Sequence, residues 1–273
     1  MSIPDRPTCV VTGAGSGLGR AFCLELARRG GRLVVSDVNE ASARETAAML
    51  GGAEAHVSRC DVSVRAEVEA LAAFADEKLG GADVVINNAG VAVTGDIGAI
   101  SDADWQWIVG INLWGPIYGC ELFVPGMKRR GRGHVINVAS LAGIANAARM
   151  GPYNVTKAGV IALSETLHGE LEGTGVGVSV LCPSFFPTNI MNSSRGAQGR
   201  EHAMASKLMA KSSITAADVA RITLDAAARG ELHVLPHVEG RWLWRMRRLA
   251  PQGSLGMSLS LRKMIERRFS APR

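Results

Sequence analysis

Ser140, Tyr153 and Lys157 are three side chains whose types and spacing suit the movement of a proton at an oxygen whose carbon is being oxidised or reduced. Tyr153 and Lys157 lie four apart at the start of a helical stretch, Tyr153 to Leu171, which puts them on one face. A lysine ammonium on that face favours the phenolate and would draw the tyrosine pKa down from about 10 towards working pH. A hydroxyl tuned in this way can act as general acid or base at a carbinol carbon. Ser140 ends an apolar run, Gly133 to Ser140, that reads as a buried strand and offers a second hydroxyl to the same oxygen. A Tyr and a Lys four apart also occur on ordinary surface helices, so the pair gains meaning only from the elements that position it.

Those elements begin at the N-terminus. Thr8 to Thr12 is a β-branched run, followed by Gly13-Ala14-Gly15-Ser16-Gly17-Leu18-Gly19 and then by Leu18, Phe22 and Leu26 at helical spacing. A strand, a glycine-rich turn and a helix start make a phosphate cradle. Backbone without Cβ allows close approach, and the helix start supplies free N–H groups at the positive end of its dipole. The spacing is GxxxGxG through Gly13, Gly17 and Gly19 rather than the usual GxGxxG; the plainer reading is a loop that merely joins strand to helix. Asp37 closes the next strand, Arg32 to Ser36, 18 residues after Gly19, where a carboxylate hydrogen-bonds an adenosine ribose. It would accept from both ribose hydroxyls and repel a 2′-phosphate, which favours NAD over NADP. Two alternatives stand beside this. Asp37 could cap a helix from Asn39 to Leu50, and Arg20 and Arg32 lie near enough to tolerate a phosphate.

The chain has 273 residues and a net charge of +5. Further strand-like runs at Ala53 to Cys60, Val84 to Asn87, Gly133 to Ser140, Val176 to Cys182 and Leu232 to Leu235 alternate with helical ones as far as Ala216 to Arg229. Seven strands in this alternation predict an α/β fold, a doubly wound parallel sheet with helices on both faces. The glycine turn, Asp37, Asn87 and Ser140 all fall at strand carboxyl ends, where such sheets bind ligands. Cys9, Cys23, Cys60, Cys120 and Cys182 form no CxxC or Cys/His spacing, which reads as reduced buried thiols in the cytosol and no metal site. The start, MSIPDRPT, lacks an apolar leader, and no run of about 18 apolar residues appears, so neither secretion nor a membrane span is expected.

Over about residues 7 to 236 the chain resembles the classical short-chain dehydrogenase/reductase family. The resemblance rests on TGAGSGLG (Thr12 to Gly19), Asp61-Val62 after the third strand, NNAG (Asn87 to Gly90), Asn112, Ser140 and YNVTK (Tyr153 to Lys157), in that order and spacing. It implies a single-domain Rossmann-like fold and an NAD-dependent oxidoreductase acting on a secondary alcohol or ketone. Gly13, Ser16, Gly17, Leu18, Gly19 and Asp37 would then hold the cofactor. Asp61 and Val62 would bracket its adenine, and Asn88, Ala89 and Gly90 would line it and steady the central sheet. Asn112 would complete an Asn-Ser-Tyr-Lys tetrad, holding through its backbone at a helix kink a water that links Lys157 to solvent; the other reading of Asn112 is a polar group satisfied inside its own helix. Lys157 would also hold the nicotinamide ribose. The resemblance further implies a homodimer or homotetramer built on Asp102 to Met127 and Tyr153 to Leu171. Two other readings are an epimerase or dehydratase using the same Tyr/Lys pair, and a regulator that binds NAD without turnover.

Three stretches depart from this pattern. After the sixth strand the family carries Pro-Gly, whereas here Pro183-Ser184 leads into Phe185-Phe186-Pro187-Thr188. By the resemblance Pro183 and Thr188 would contact the nicotinamide; Phe185 and Phe186 either wall an apolar substrate pocket or fill core beneath the loop. Residues 189–213, with Met191, Met204, Leu208 and Met209, read as a substrate lid or as a packed helix, and Arg195 and Arg200 leave a carboxylate or phosphate contact open. Finally, residues 241–273 read as a tail distinct from the body, residues 1–240. The tail holds nine Lys or Arg against Glu266 alone, a net +8, so the body carries −3. Trp242, Trp244, Met246 and Leu249, then Leu261, Met264, Ile265 and Phe269, make it amphipathic. It suits an anionic membrane surface or a neighbouring subunit; no motif for nucleic acid accompanies the charge.

Overall fold

The computed structural model describes residues 3–188, 190, 194–196, 207, 209–210 and 212–253. Seven strands form one sheet: β1 (Thr8–Thr12), β2 (Arg32–Asp37), β3 (Ala55–Arg59), β4 (Val84–Asn87), β6 (Gly133–Val138), β7 (Val176–Leu181) and β9 (His233–Val234). Their order is β3-β2-β1-β4-β6-β7-β9, and every pairing is parallel. The seven strands read from the sequence are therefore present, with ends shifted by two residues at most. The chain builds outward from β1 to β3 and then returns to lay β4 on the other side of β1. That reversal opens a crevice at the carboxyl ends of β1 and β4.

The β-branched runs are buried on both faces because alternate residues point to opposite sides. Cys9, Val11, Val35, Ile86 and Val138 pack with Leu18, Phe22 and Leu26 of α1 (Gly17–Arg28) and, together with Phe186, with Val219 and Leu224 of the helix Ala216–Ala228. Val10, Val34, Val85 and Val135 face the other way, onto Leu71 of α3 (Arg65–Leu79), Phe123 and Met127 of α5 (Gly115–Arg130) and Leu167 of α7 (Gly151–Glu170). Between them lie α2 (Glu40–Ala48), α4 (Asp102–Val109) and the short α6 (Ala142–Ala145). The Ala216–Ala228 helix is α8, and α9 (Val238–Leu249) follows it.

Three features go beyond the alternation of strands and helices, the first of them at Asn112, where the resemblance implied a helix kink. A turn of π-helix, Gly110–Trp114, joins α4 to α5, and the Gly115 N–H donates to the Gly110 carbonyl five residues back. The continuous stretch Asp102–Arg130 is long and apolar enough by length and composition to cross a membrane, although no run of that kind was expected; its buried side chains cover the sheet. A second small sheet pairs β5 (Ala92–Thr94) in parallel with β8 (Ser194–Gly196), so part of the expected lid is a strand. Met191, Met204, Leu208 and Arg200 lie outside the described residues. So do residues 254–273 of the tail, while α9 runs across the boundary drawn at residue 240.

Several polar groups in the core are paired with one another. Asn87 Nδ2 donates to Asn137 Oδ1 at 2.8 Å, and Asn137 Nδ2 donates to Ser164 Oγ at 3.0 Å. These bonds tie β4, β6 and α7 together, so Asn87 steadies the central sheet alongside Asn88. Gly119 makes room for it, since a Cβ there would lie 2.1 Å from Asn87 Oδ1. His134 is buried on β6. Ser179 Oγ gives its single proton to the Glu231 carbonyl at 2.6 Å, so it accepts from His134 Nε2 at 2.9 Å. Burial pushes the His134 pKa down from 6.5 to about 4. The neutral ring is the folded form, so its contribution is complete above pH 6.5 and is lost as pH falls towards 4. Over that window the loss is about 3 kcal/mol. Urea unfolding at pH 7 and pH 4 should show a smaller acid loss for His134→Gln, whose amide donates without titrating; equal losses in the two proteins would refute this.

Candidate active site

The glycine turn leaves β1 at the crevice, and each glycine of GxxxGxG has its own reason. Gly13 and Gly17 sit at φ +61° and +52°, in the left-handed region. Gly19 has no room, because a Cβ would lie 2.1 Å from the Gly13 carbonyl oxygen. Ser16 is the N-cap of α1, with no side chain capping the first turn and no acid within it, so the helix start stays open to an anion. Asn88 braces the turn from β4: its Nδ2 donates to the Thr12 and Gly13 carbonyls at 2.9 and 3.1 Å. The Asn88 and Ala89 amides donate to Thr12 Oγ1.

Asp37 closes the cradle on the side of β2. Its Oδ2 accepts the Gly15 N–H at 2.8 Å and its Oδ1 accepts the Asn39 N–H at 2.9 Å. Asn39, not Asp37, caps α2, through its bond from Ser42 N. Each Asp37 oxygen keeps a second lone pair for a further donor. Arg20 and Arg32, which left a phosphate open, are engaged elsewhere: Arg20 holds the Gly15 carbonyl, Thr46 and Glu45, and Arg32 forms a two-pronged pair with Glu54. Asp61 Oδ1 takes the Ser63 amide and hydroxyl at 2.9 and 2.6 Å. Val62 is buried against Gly115 just past the π turn.

Across the crevice, Ser140 follows β6 and Tyr153 and Lys157 rise from α7. The Ser140 side chain neighbours the Tyr153 phenol closely enough to favour its ionised form, and Ser140 Oγ accepts the Ala142 N–H at 3.1 Å. Tyr153 is buried among Val91, Val93 and Ile108. Lys157 Nζ donates to the Val138 carbonyl at 2.8 Å and lies 5.8 Å from the centre of the Tyr153 ring. Here the electrostatic expectation is corrected. Burial raises the Tyr153 pKa above 10, and Ser140 rather than Lys157 opposes the rise. Burial also pushes Lys157 down to about 8, with the Cys182 thiol acting against this. Desolvation exceeds a charge effect spread over such a distance, so the phenol is a neutral donor at neutral pH.

Asn112 lies within the π turn and is fully buried. Its side chain closes a two-bond ring with the Val91 backbone, accepting from N and donating to O at 2.8 Å each, so it is satisfied outside its own helix. Gly90 sits between the two halves of the tetrad: a Cβ there would lie 3.4 Å from both Asn112 Oδ1 and Lys157 Nζ. The structure thus gathers Asn112, Ser140, Tyr153 and Lys157 beside the glycine cradle.

The loop after β7 divides the two phenylalanines. Phe186 is core, 5 % exposed and packed with Leu181 and Leu224, because it turns under the loop rather than into the crevice. Phe185 is 41 % exposed. Pro183 O accepts from Leu141 N at 2.8 Å, and Thr188 Oγ1 accepts from Ile190 N at 3.1 Å. Sequence reasoning missed His237, whose Nδ1 accepts the Ser184 N–H at 3.2 Å. Arg195, left open for a carboxylate or phosphate, lies with its guanidinium 3.9 Å from the centre of the Trp107 ring and pairs with the carboxylate of Asp104 at 3.5 Å. All five cysteines are free and buried.

A nucleotide cradle and a Ser-Tyr-Lys cluster on one parallel sheet define the dehydrogenase class of this fold, and comparison with known proteins makes the assignment: the chain belongs to the short chain dehydrogenase family, whose model it matches over residues 7–199. It is similar to a short chain dehydrogenase/reductase from Burkholderia phymatum solved in complex with NAD. Identity is 36 % and the TM-score 0.86, covering 91 % of this chain and 95 % of that one. It is also similar to levodione reductase, at 27 % identity and a TM-score of 0.77, covering 88 % and 98 %. Among curated relatives, "Probable oxidoreductase EphD" of Mycobacterium tuberculosis is 37 % identical over 184 residues, 66 % of this chain. The chain spans 31 % of that protein's length.

Proposed function

We propose that the protein is an NAD(H)-dependent oxidoreductase that interconverts a secondary alcohol and a ketone on an apolar substrate. The observation that carries this reading is the buried Tyr153 phenol, next to Ser140 and with Lys157 Nζ 5.8 Å from its ring centre, beside the glycine cradle. The residues present fit NAD. The open start of α1 suits a pyrophosphate, Asp37 has acceptors left for two ribose hydroxyls, and the neighbouring arginines are already paired. Bound NAD supplies hydride acceptance, and NADH hydride donation. Tyr153 passes the proton at the substrate oxygen, giving it in reduction and taking it in oxidation. Ser140 hydrogen-bonds that oxygen and stabilises its developing charge. Lys157 holds the nicotinamide ribose, Asn112 fixes the backbone behind the pair, and Val62, Ala89, Gly90, Pro183 and Thr188 line the cofactor. A panel of steroid, aromatic and aliphatic secondary alcohols with NAD, read by NADH absorbance, tests this; no turnover with any of them, or with the matching ketones and NADH, would overturn it.

The exposed side chains suggest two surfaces. Trp114, 46 % exposed, and Val155, 54 % exposed, lie on the helices that would carry a homodimer or homotetramer contact. On α9, Leu243 and Trp244 turn inward, while Val238, Trp242 and Leu249 stand 69 %, 53 % and 83 % exposed beside Arg241 and Arg245. That face, at four- and seven-residue spacing, fits the interface of an anionic membrane. Flotation with phosphatidylserine vesicles should be strong at low salt and weak at high salt, since exposed charges are screened beyond about 10 Å at 0.1 M. Trp242→Ser with Leu249→Ser should abolish it. If the intact chain does not float and the variant is smaller on sizing, the face is a subunit contact.

A further inference from the structure

The loop Pro183–Thr188 and the segment Ser140–Ala145, joined by the Leu141 N–H on the Pro183 carbonyl, are both held by α9 and the residue before it. His237, the residue before that helix, is 4 % exposed and accepts the Ser184 N–H at Nδ1 over 3.2 Å. The Phe186 ring lies 6.2 Å from its ring at a tilt of 34°. Ten residues on, Arg247 donates to the Ala145 carbonyl at 2.7 Å. Leu141 packs beside Gly240, and Arg248 reaches Glu165 of α7 at 2.9 Å. One helix therefore fastens both loops.

His237 bears a cost that packing alone does not explain. To accept at Nδ1 the neutral ring must carry its proton on Nε2, and that atom is buried with no hydrogen-bond partner. An apolar residue would fill the same space without an orphaned donor. We infer that His237 is a positioning residue: by accepting the Ser184 amide it sets the loop that faces the nicotinamide, so the site is complete only with α9 docked. The inference rests on the proposed cofactor for what the loop contacts, and on this chain's own bonds for the rest.

The bond needs an unprotonated Nδ1. Glu239, on the same helix, tends to raise the His237 pKa, while Pro183–Thr188 and Leu141–Ala145 bring no charged side chain. Burial prevails and keeps the pKa below 6.5. The ring thus holds the loop at neutral pH and releases it in acid.

Hydrogen exchange of the peptide spanning residues 183–188, corrected for the intrinsic effect of pH, reads the bond directly and without turnover. In the intact chain, exchange should be slow at pH 7.5 and several-fold faster at pH 5. In His237→Asn, where Oδ1 takes the place of Nδ1 and does not titrate, it should be slow at both. In His237→Leu it should be fast at both, with a higher KM for NAD that His237→Asn restores. Equal exchange in the intact chain and His237→Leu at pH 7.5, or an acid loss in His237→Asn matching that of the intact chain, would overturn the proposal. If His237→Leu does not fold, the comparison of the intact chain with His237→Asn decides alone. Failure of the oxidoreductase reading would show separately, as absence of NADH formation with the exchange pattern unchanged.

Discussion

Tyr153→Phe should lower kcat by two to four orders of magnitude, roughly what a positioned general acid or base contributes, while leaving NAD affinity nearly unchanged. The ring stays among Val91, Val93 and Ile108, and only the hydroxyl beside Ser140 is lost. Ser140 keeps the Ala142 amide, so the fold loses little. Turnover within about tenfold of the intact chain, a barrier change of only about 1.4 kcal/mol, would remove Tyr153 from the reaction. The pH dependence has a definite sign. Because burial holds the Tyr153 pKa above 10, alcohol oxidation, which needs the phenolate, should speed up from pH 7 to 10, while ketone reduction, whose phenol stays protonated below that pKa, should change far less. Rates read in both directions over that range check it.

Asp37→Ala should reduce or reverse the preference for NAD over NADP. Two terms move together, since the carboxylate accepts from the ribose hydroxyls and repels a 2′-phosphate. A hydrogen bond to a charged group contributes about 1.5–3 kcal/mol, so NAD efficiency should fall by roughly ten- to a hundredfold. Alanine also frees the Gly15 and Asn39 amides, which loosens the turn. Asp37→Asn separates the two effects, because its carbonyl keeps one acceptor and its charge is gone. Its NADP efficiency should rise while its melting temperature stays close to that of the intact chain. Equal efficiency with the two cofactors before any mutation would leave Asp37 only its bonds to the turn.

Much of this arrangement was readable before any coordinates. Parallel strands buried on both faces are written as short β-branched runs, and Gly13, Gly17 and Gly19 announce a turn that no other residue could make. What could not be read depends on distance rather than type. Four residues of separation place Tyr153 and Lys157 on one face, yet burial, which no spacing reveals, decides both of their pKa values. Phe185 and Phe186 are adjacent and alike, and only the path of the loop sends one to the core and the other to solvent. The strand Ser194–Gly196 carries no β-branched residue and exists through its ladder to Ala92–Thr94. His237 had no motif, because its partner is a backbone amide 53 residues away in the chain.

The π turn at Gly110–Trp114 acts as a stored insertion. One residue more than an α-helix requires is absorbed there, and Asn112 uses that slack to reach the Val91 backbone. Deleting a single residue from this turn would restore ordinary α-helical bonding and make the helix locally more regular. It would also rotate everything beyond by about 100° relative to what precedes it. Either Asn112 leaves Val91, or Phe123, Val124 and Met127 leave the sheet. Deletions tolerated one turn outside Gly110–Trp114 and rejected within it would mark the stretch as a place where chain length itself is under selection.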